Sequence, residues 1–151
     1  MLTDLLNEND VPVIYGEVHS MPMRSDYAYD DPFRVPALLH EGGVRFCIGL
    51  FSATGVRNLP FQAGQAVAFG LDKSEALRAI TLSAAEILGI ADDLGSLQVG
   101  KKATLVVSDG DILDHLGHRV VHMFIDGRRV DLDSKHKELY RKYSAKESRR
   151  P

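Results

Sequence analysis

The chain has 151 residues, 44% hydrophobic and 26% charged, with a formal net charge of −3. That length supports a domain with a real core, and the composition is ordinary for a globular protein. A slightly acidic chain lacks the clustered basic face that a nucleic-acid partner needs, and the one basic concentration, residues 135–150, is diluted by its own glutamates. Cys47 stands alone, which forbids an intrachain disulfide and a cysteine zinc site. No apolar run reaches membrane-spanning length, and MLTDLL is too short and too acidic for a signal peptide. No membrane partner is expected, and a cytoplasmic location follows if Met1 is the true start.

In chain order, residues 2–7 read as the end of a helix broken at Asn9-Asp10. VPVIYG, residues 11–16, is a short apolar run bounded by turn residues, the pattern of a strand buried on both faces. Residues 17–33 form a polar, proline-interrupted loop, the longest irregular stretch, and long ordered loops are often functional. Residues 34–41 form a short amphipathic helix closed by Gly42-Gly43, and VRFCIGL, residues 44–50, is a second buried strand. Strand, helical crossover and strand together predict a right-handed parallel βαβ unit.

Residues 58–101 organise the chain. Asp72 with Glu75, and Ser83 with Glu86, are helix-start pairs, because the first side chain can accept from a free first-turn amide. Gly70 and Gly89 sit where a helix would end in a left-handed residue. The stretch reads as helix, stop, helix, new start, short helix, stop. A strand follows over residues 104–108, ended by Asp109-Gly110. Residues 119–125 and 128–131 flank Asp126-Gly127, a two-residue turn that closes an antiparallel hairpin. Residues 135–146 predict a charged helix lying on the surface. The division expected is 1–90 for a parallel α/β portion, 91–133 for antiparallel strands and 134–151 for a charged helix and tail. There is no internal repeat and no low-complexity segment.

The order EALRAIT..AAEILGI.D.LGSLQVGK.A.LVV.DGDIL resembles the C-terminal portion of the metal-dependent amidohydrolase superfamily, of the imidazolonepropionase-like kind. The resemblance covers about residues 11–130, and residues 95–107 are its most specific part. It implies an α/β fold: the last two βα units of a TIM-type barrel, then antiparallel strands of a small β domain. A complete barrel takes about 250 residues, so two units leave open sheet edges. Either a missing N-terminal portion or another copy in a homo-oligomer would cover them.

The resemblance also implies a divalent metal, zinc, that activates water. The ligands would be a His-x-His, a midway lysine or glutamate, two later histidines and an aspartate after the eighth strand. This chain contains no His-x-His. Phe51, followed by Ser52-Ala53-Thr54-Gly55, falls at the aspartate's place, and an aromatic ring can neither bind a metal nor take a proton from water. Thr104 stands at a turn where an aspartate is common in the family. No catalytic residue and no metal ligand is therefore assigned in this chain.

Four residues are candidates for contacting a small-molecule amide substrate of the parent protein. His19 lies just past the first strand, on the side where barrel enzymes place their chemistry. It touches substrate, binds a metal in an altered site, or is simply a loop histidine bonded to its neighbours. Arg24 is either a carboxylate clamp or the partner of Asp26, Asp30 or Asp31. Arg57 and Asn58 follow the second strand, and Asn58 doubles as a helix cap ahead of Leu59-Pro60. His115 and His118, with Asp111 and Asp114, read as a solvated connection rather than a metal site. His122 should point outward from its strand, and Cys47 should be an inert core thiol. Ser52 lacks a nucleophile elbow.

Two functions follow from these residues. The first is the C-terminal portion of an amidohydrolase-like protein that hydrolyses non-peptide C–N bonds, amide or cyclic amide, with this chain inactive alone. The second is a catalytically silent stand-alone binding or assembly module built on the same frame.

Overall fold

The computed structural model describes residues 2–22 and 24–147. The elements run α1 (Leu2–Glu8), β1 (Val13–Gly16), α2 (Asp31–Glu41), β2 (Phe46–Gly49), a 3-10 turn (Val56–Asn58), α3 (Leu59–Ala68), α4 (Lys73–Ala79) and α5 (Leu82–Ile87). After them come β3 (Leu105–Asp109), β4 (Arg119–Ile125), β5 (Arg128–Arg129) and α6 (Lys135–Glu147). β1 and β2 pair in parallel, with Val13 opposite Phe46 and Gly16 opposite Gly49. β3, β4 and β5 form a separate antiparallel sheet in that order. The architecture is α/β with one parallel and one antiparallel sheet; the two parallel strands do not by themselves make a barrel.

Helix ends follow the backbone's hydrogen-bond accounting. After α2, α3 and α5 a glycine turns left-handed (Gly43, Gly70 and Gly89, φ 68°, 106° and 70°). In each case the next amide reaches back across the last turn: Val44 to Leu39, Leu71 to Ala66, Ile90 to Ala85. That paired closure satisfies carbonyls the helix leaves open. It also drops Val44 and Leu71 into the core. At the start of α4, Asp72 accepts from the Ser74 amide at 2.8 Å, as a capping aspartate should. Its carboxyl is held below the usual range by the Ser74 hydroxyl first and the Ser74 amide second.

The second start signal is corrected. Thr81, not Ser83, occupies the cap position of α5, and its side chain makes no capping bond there. Ser83 and Glu86 instead receive Arg78: Nε to Ser83 at 3.2 Å, and Nη2 to both Glu86 carboxylate oxygens at 3.0 and 2.8 Å. An arginine one turn upstream outcompetes the backbone for both side chains.

α2 begins at Asp31, earlier than the composition suggests, with Pro32 in its first turn and Pro36 inside it. Pro36 has no amide to give the Pro32 carbonyl. The Tyr15 hydroxyl on β1 donates to that carbonyl at 2.9 Å, so a strand side chain closes a gap in the helix. Burial raises the Tyr15 pKa.

The core gathers on β2. Phe46, Cys47 and Ile48 are buried, covered by Ala37 and Leu39 of α2, Ala63 and Ala66 of α3, and Ala76 and Ala79 of α4. Cys47 is buried as expected, and burial raises its pKa. β1 corrects the reading of a strand buried on both faces, since Ile14 is 44% exposed and Val11 47%. The helices crowd onto β2 and leave the Ile14 side of β1 uncovered.

In the second sheet, Asp126 and Gly127 turn with φ 52° and 76°, the geometry of a tight hairpin. The Asp126 amide donates to Thr104 Oγ1 at 3.0 Å, which ties the start of β3 to that turn. Register shifts between Val107 and Ser108, a bulge that leaves Val121 unpaired on β4. His122 is exposed, as expected for its place in the strand. The GSL-x-x-GK turn has a physical reason: the Lys101 ammonium donates to the Ala91 carbonyl and to Ser96 Oγ at 2.7 Å. A lysine thereby holds the chain as it leaves α5.

Candidate functional site

The face in question lies at the C-terminal ends of β1 and β2. Glu17 follows Gly16 with φ 60°, a left-handed conformation that an L-residue adopts only when its surroundings enforce it. The enforcement comes next in the chain. Val18 is fully buried, and its amide donates at 2.7 Å to Oε1 of Gln62, a buried polar side chain on α3. The loop is therefore clamped before it reaches His19.

His19 sits edge-on to Phe33, ring centroids 6.5 Å apart, and Phe33 tilts against Phe69 at 5.1 Å. Its pKa is lowered, by burial first and by the proximity of His115 second. His115 stacks on Phe61 of α3 at 4.0 Å with 24° between planes, and His118 approaches the same ring at 4.9 Å. The segment 111–118 is thus more than a solvated connection. His115 and Leu116 are exposed, but Leu113 is buried and the histidines rest on Phe61. Gly64 permits this contact, because a Cβ there would strike the Leu113 carbonyl. Beside it, Lys73 bridges to Asp111 at 2.7 Å and holds the Asp111 carboxyl below its usual range. Between α3 and this segment lies a cleft of about 290 Å3, open to solvent and bordered by Gly64, Val67, Asp114 and His115.

The four candidate residues have separate surroundings. Arg24 grips Asp26 through two hydrogen bonds of 2.9 Å and lies 5.4 Å from the Tyr27 ring centre. Arg57 is exposed in the 3-10 turn. Asn58 holds the cap position of α3 but makes no side-chain capping bond, so Pro60 alone marks that helix start. Among the described residues, no hydrogen bond or ion pair joins His19, Arg24, Arg57 and Asn58 to one another. Ser52 is a turn residue: its Oγ accepts from the Gly55 amide at 3.2 Å.

Phe51 decides the character of the face. Its side chain is 77% exposed, yet the ring lies over Gly16, where a Cβ would come within 2.5 Å of it. An aromatic ring thus lids the end of β1.

The amidohydrolase family matches residues 2–130. The chain belongs to that family. An amidohydrolase from Thermotoga maritima MSB8 is similar in structure, with 27% identity and a TM-score of 0.73 over 86% of this chain and 34% of that one. A prolidase solved with N-methylphosphonate-L-proline is similar at 25% identity and a TM-score of 0.61, covering 85% of this chain and 37% of that one. The chain therefore spans about a third of the length of these solved relatives. No curated protein sequence matches it.

A divalent metal, which amidohydrolase membership implies, does not fit the residues this chain supplies. Among the described residues, no three of His, Cys, Asp and Glu converge as ligands. At the ends of β1 and β2 the donors are His19, whose ring packs on Phe33, and Glu17, while Phe51 after β2 offers only a ring over Gly16.

Gln62, Phe61 and Gly64 escaped the sequence reading. Gln62 had a signal, since it lies one helical turn before Ala66 on the face that Ala63 and Ala66 bury. Phe61 and Gly64 had none, because their partner is a loop fifty residues away in the chain.

Proposed function

We propose that this chain is the C-terminal portion of an amidohydrolase-like protein that hydrolyses non-peptide C–N bonds, amide or cyclic amide. In that reading β1 and β2 are the last two strands of a TIM-type barrel, and β3–β5 belong to its small β domain. The chain by itself is inactive. The observation that carries this is Phe51: family membership is shown over residues 2–130, while the side chain at the acid's place is an exposed ring over Gly16. Water activation would have to come from groups outside these residues.

What this chain contributes is a wall of the substrate cavity. His19, kept neutral near pH 7 by its lowered pKa, offers one ring nitrogen to a polar substrate. Arg57 and Asn58 carry the polar rim past β2. Arg24 joins them only by releasing Asp26, so it acts on a substrate carboxylate that outcompetes that local pair. The prolidase neighbour was solved with N-methylphosphonate-L-proline, and the carboxylate of that molecule is the kind of group Arg24 would meet.

The test is metal content and hydrolysis of an amide panel by the purified 151-residue chain, together with the intact mass of the protein in its own cell. No stoichiometric zinc, no turnover and a native mass about three times larger, as the covered share of its relatives implies, would support the proposal. Turnover with bound zinc by the chain alone would overturn it. A native mass equal to this chain would favour the second reading, a silent binding or assembly module. What supports that module is the core that α2, α3 and α4 build on β2 within this chain.

A further inference from the structure

The buried residues of α3 are Gln62, Ala63 and Ala66. The two alanines are what a core-facing helix surface needs, and Gln62 is not. Burying a carboxamide without a partner costs free energy that a methionine of similar length would not. Gln62 is nonetheless 5% exposed. What explains it is a group that needs an acceptor at that depth.

That group is the Val18 amide. Pairing of β1 with β2 ends at Gly16 and Gly49, two residues before Val18, so the ladder leaves this amide to find its acceptor elsewhere. Gln62 Oε1 supplies it at 2.7 Å. The bond also fixes which way round the carboxamide sits, since only its oxygen can accept.

Residues 17–20 are one tight turn. The Ser20 amide donates to the Glu17 carbonyl at 3.0 Å, with Val18 and His19 at the two central positions. Glu17 enters the turn with φ 60°. Because the turn is closed internally, Val18 and His19 move as a unit, and what remains free is how that unit sits on α3. The fully buried Val18 side chain is a pivot, because apolar contact is non-directional. A hydrogen bond has direction. The bond to Gln62 stops rotation about that pivot and so decides where the exposed His19 ring lies, edge-on to Phe33.

We propose that Gln62 is the positioning residue of this face: acting through Val18, it holds His19 in the orientation in which the ring meets a substrate. The inference rests on the reading of His19 as part of the substrate wall. It adds to that reading the determinant of His19's geometry, a side chain on another element and 44 residues on from Val18 in the chain.

The test is NMR of the full chain with isotope-labelled histidine and phenylalanine. In the native chain the His19 ring protons should show a nuclear Overhauser contact to Phe33, and the ring should titrate below its usual 6.5. Gln62→Met removes the acceptor and keeps the length, so it should abolish the contact and move the titration up to about 6.5. Gln62→Glu keeps an acceptor and should retain the contact. Glu17→Val, at an exposed position, resists the left-handed conformation and should give the Gln62→Met result without touching α3. Ala79→Gly, buried on α4, should lower the melt and leave both His19 signals as in the native chain. A Gln62→Met chain that melts lower but keeps contact and titration would overturn the proposal, since the bond would then add stability and nothing else. Should Gln62→Met not fold, Glu17→Val decides alone, and an unchanged His19 there would overturn it too. So would a native chain without the Phe33 contact, or an Ala79→Gly chain that loses it. None of these readouts needs a substrate, so they can fail while His19 still meets an amide, and succeed while it meets none.

Discussion

The two sheets carry different fractions of the protein's stability, although both are built from similar apolar residues. The parallel pair is short, four residues per strand, yet β2 is buried along Phe46, Cys47 and Ile48 because four helices converge on it. The antiparallel sheet is longer, and none of its strand residues is buried; Val106, Val107 and Ile125 remain 41–49% exposed. A strand's hydrophobicity therefore does not tell how much it stabilises. The cover it finds does. Burial of apolar area supplies the driving force, and among the described residues it is concentrated between residues 18 and 85, with Leu113 the one buried residue after that.

That contrast can be broken by matched truncations. Ile48→Ala removes methylene groups from the fully packed centre and should cost about 3 kcal/mol. Val106→Ala on the second sheet should cost less than about 1 kcal/mol, because little area is lost. Urea melts of both variants decide it. Equal losses would mean that the second sheet is covered in solution by something that buries it.

The next effect lies where the two regions meet. Gly64→Ala places a Cβ against the Leu113 carbonyl, which belongs to a docked backbone and cannot swing aside. The expected cost is about 2 kcal/mol, with faster amide exchange confined to residues 110–118. Loss of protection across β2 as well would show that the segment is part of one cooperative unit with the core. No change in either would mean that the segment is not docked in solution.

A smaller effect separates β1 from β2. Tyr15→Phe removes the hydroxyl that serves the Pro32 carbonyl and should cost about 1 kcal/mol. Hydrogen exchange should rise in the first turns of α2 and leave α3 untouched. A neutral Tyr15→Phe would mean that water replaces the hydroxyl readily, and that β1 is held by its pairing with β2 alone.

Much of this was legible in the sequence, for local reasons. Gly43, Gly70, Gly89 and Asp126-Gly127 announce their turns because the backbone conformation needed there selects the residue. Asp72 announces a helix start because its acceptor sits one turn from its donor. Ser83 with Glu86 carries the same local pattern and misleads, since Arg78 takes both side chains. Burial of β1 and the seating of His115 were not legible either, because each depends on an element distant in the chain. For the candidate site, the position of His19 past β1 could be read, whereas its neighbours Phe33 and His115 could not. For Arg24 the sequence leaves clamp and ion pair both open, because Asp26, Asp30 and Asp31 all lie nearby; in the fold Asp26 takes it.

The smallest predicted effect concerns His19, and it sharpens the meeting of the two regions at His115. Burial, and then His115, push the His19 pKa below its usual 6.5. The unfolded chain, with the higher pKa, binds the proton more readily as pH falls through that value. Stability from this group is therefore complete above about pH 6.5 and declines as pH drops toward the folded pKa. Asp72, Asp111 and Asp133 shift downward as well, but their contributions are lost only below about pH 3.8, so the two windows separate. Melting temperature measured from pH 7.5 to pH 5 should fall modestly in the native chain. It should fall less in His19→Asn, which keeps a polar side chain beside Phe33 without titrating. His115→Asn should recover only part of the difference, because it removes the second cause and leaves the first. An identical pH slope in all three would mean that His19 is as well solvated as in the unfolded chain, and that segment 111–118 does not reach the end of β1.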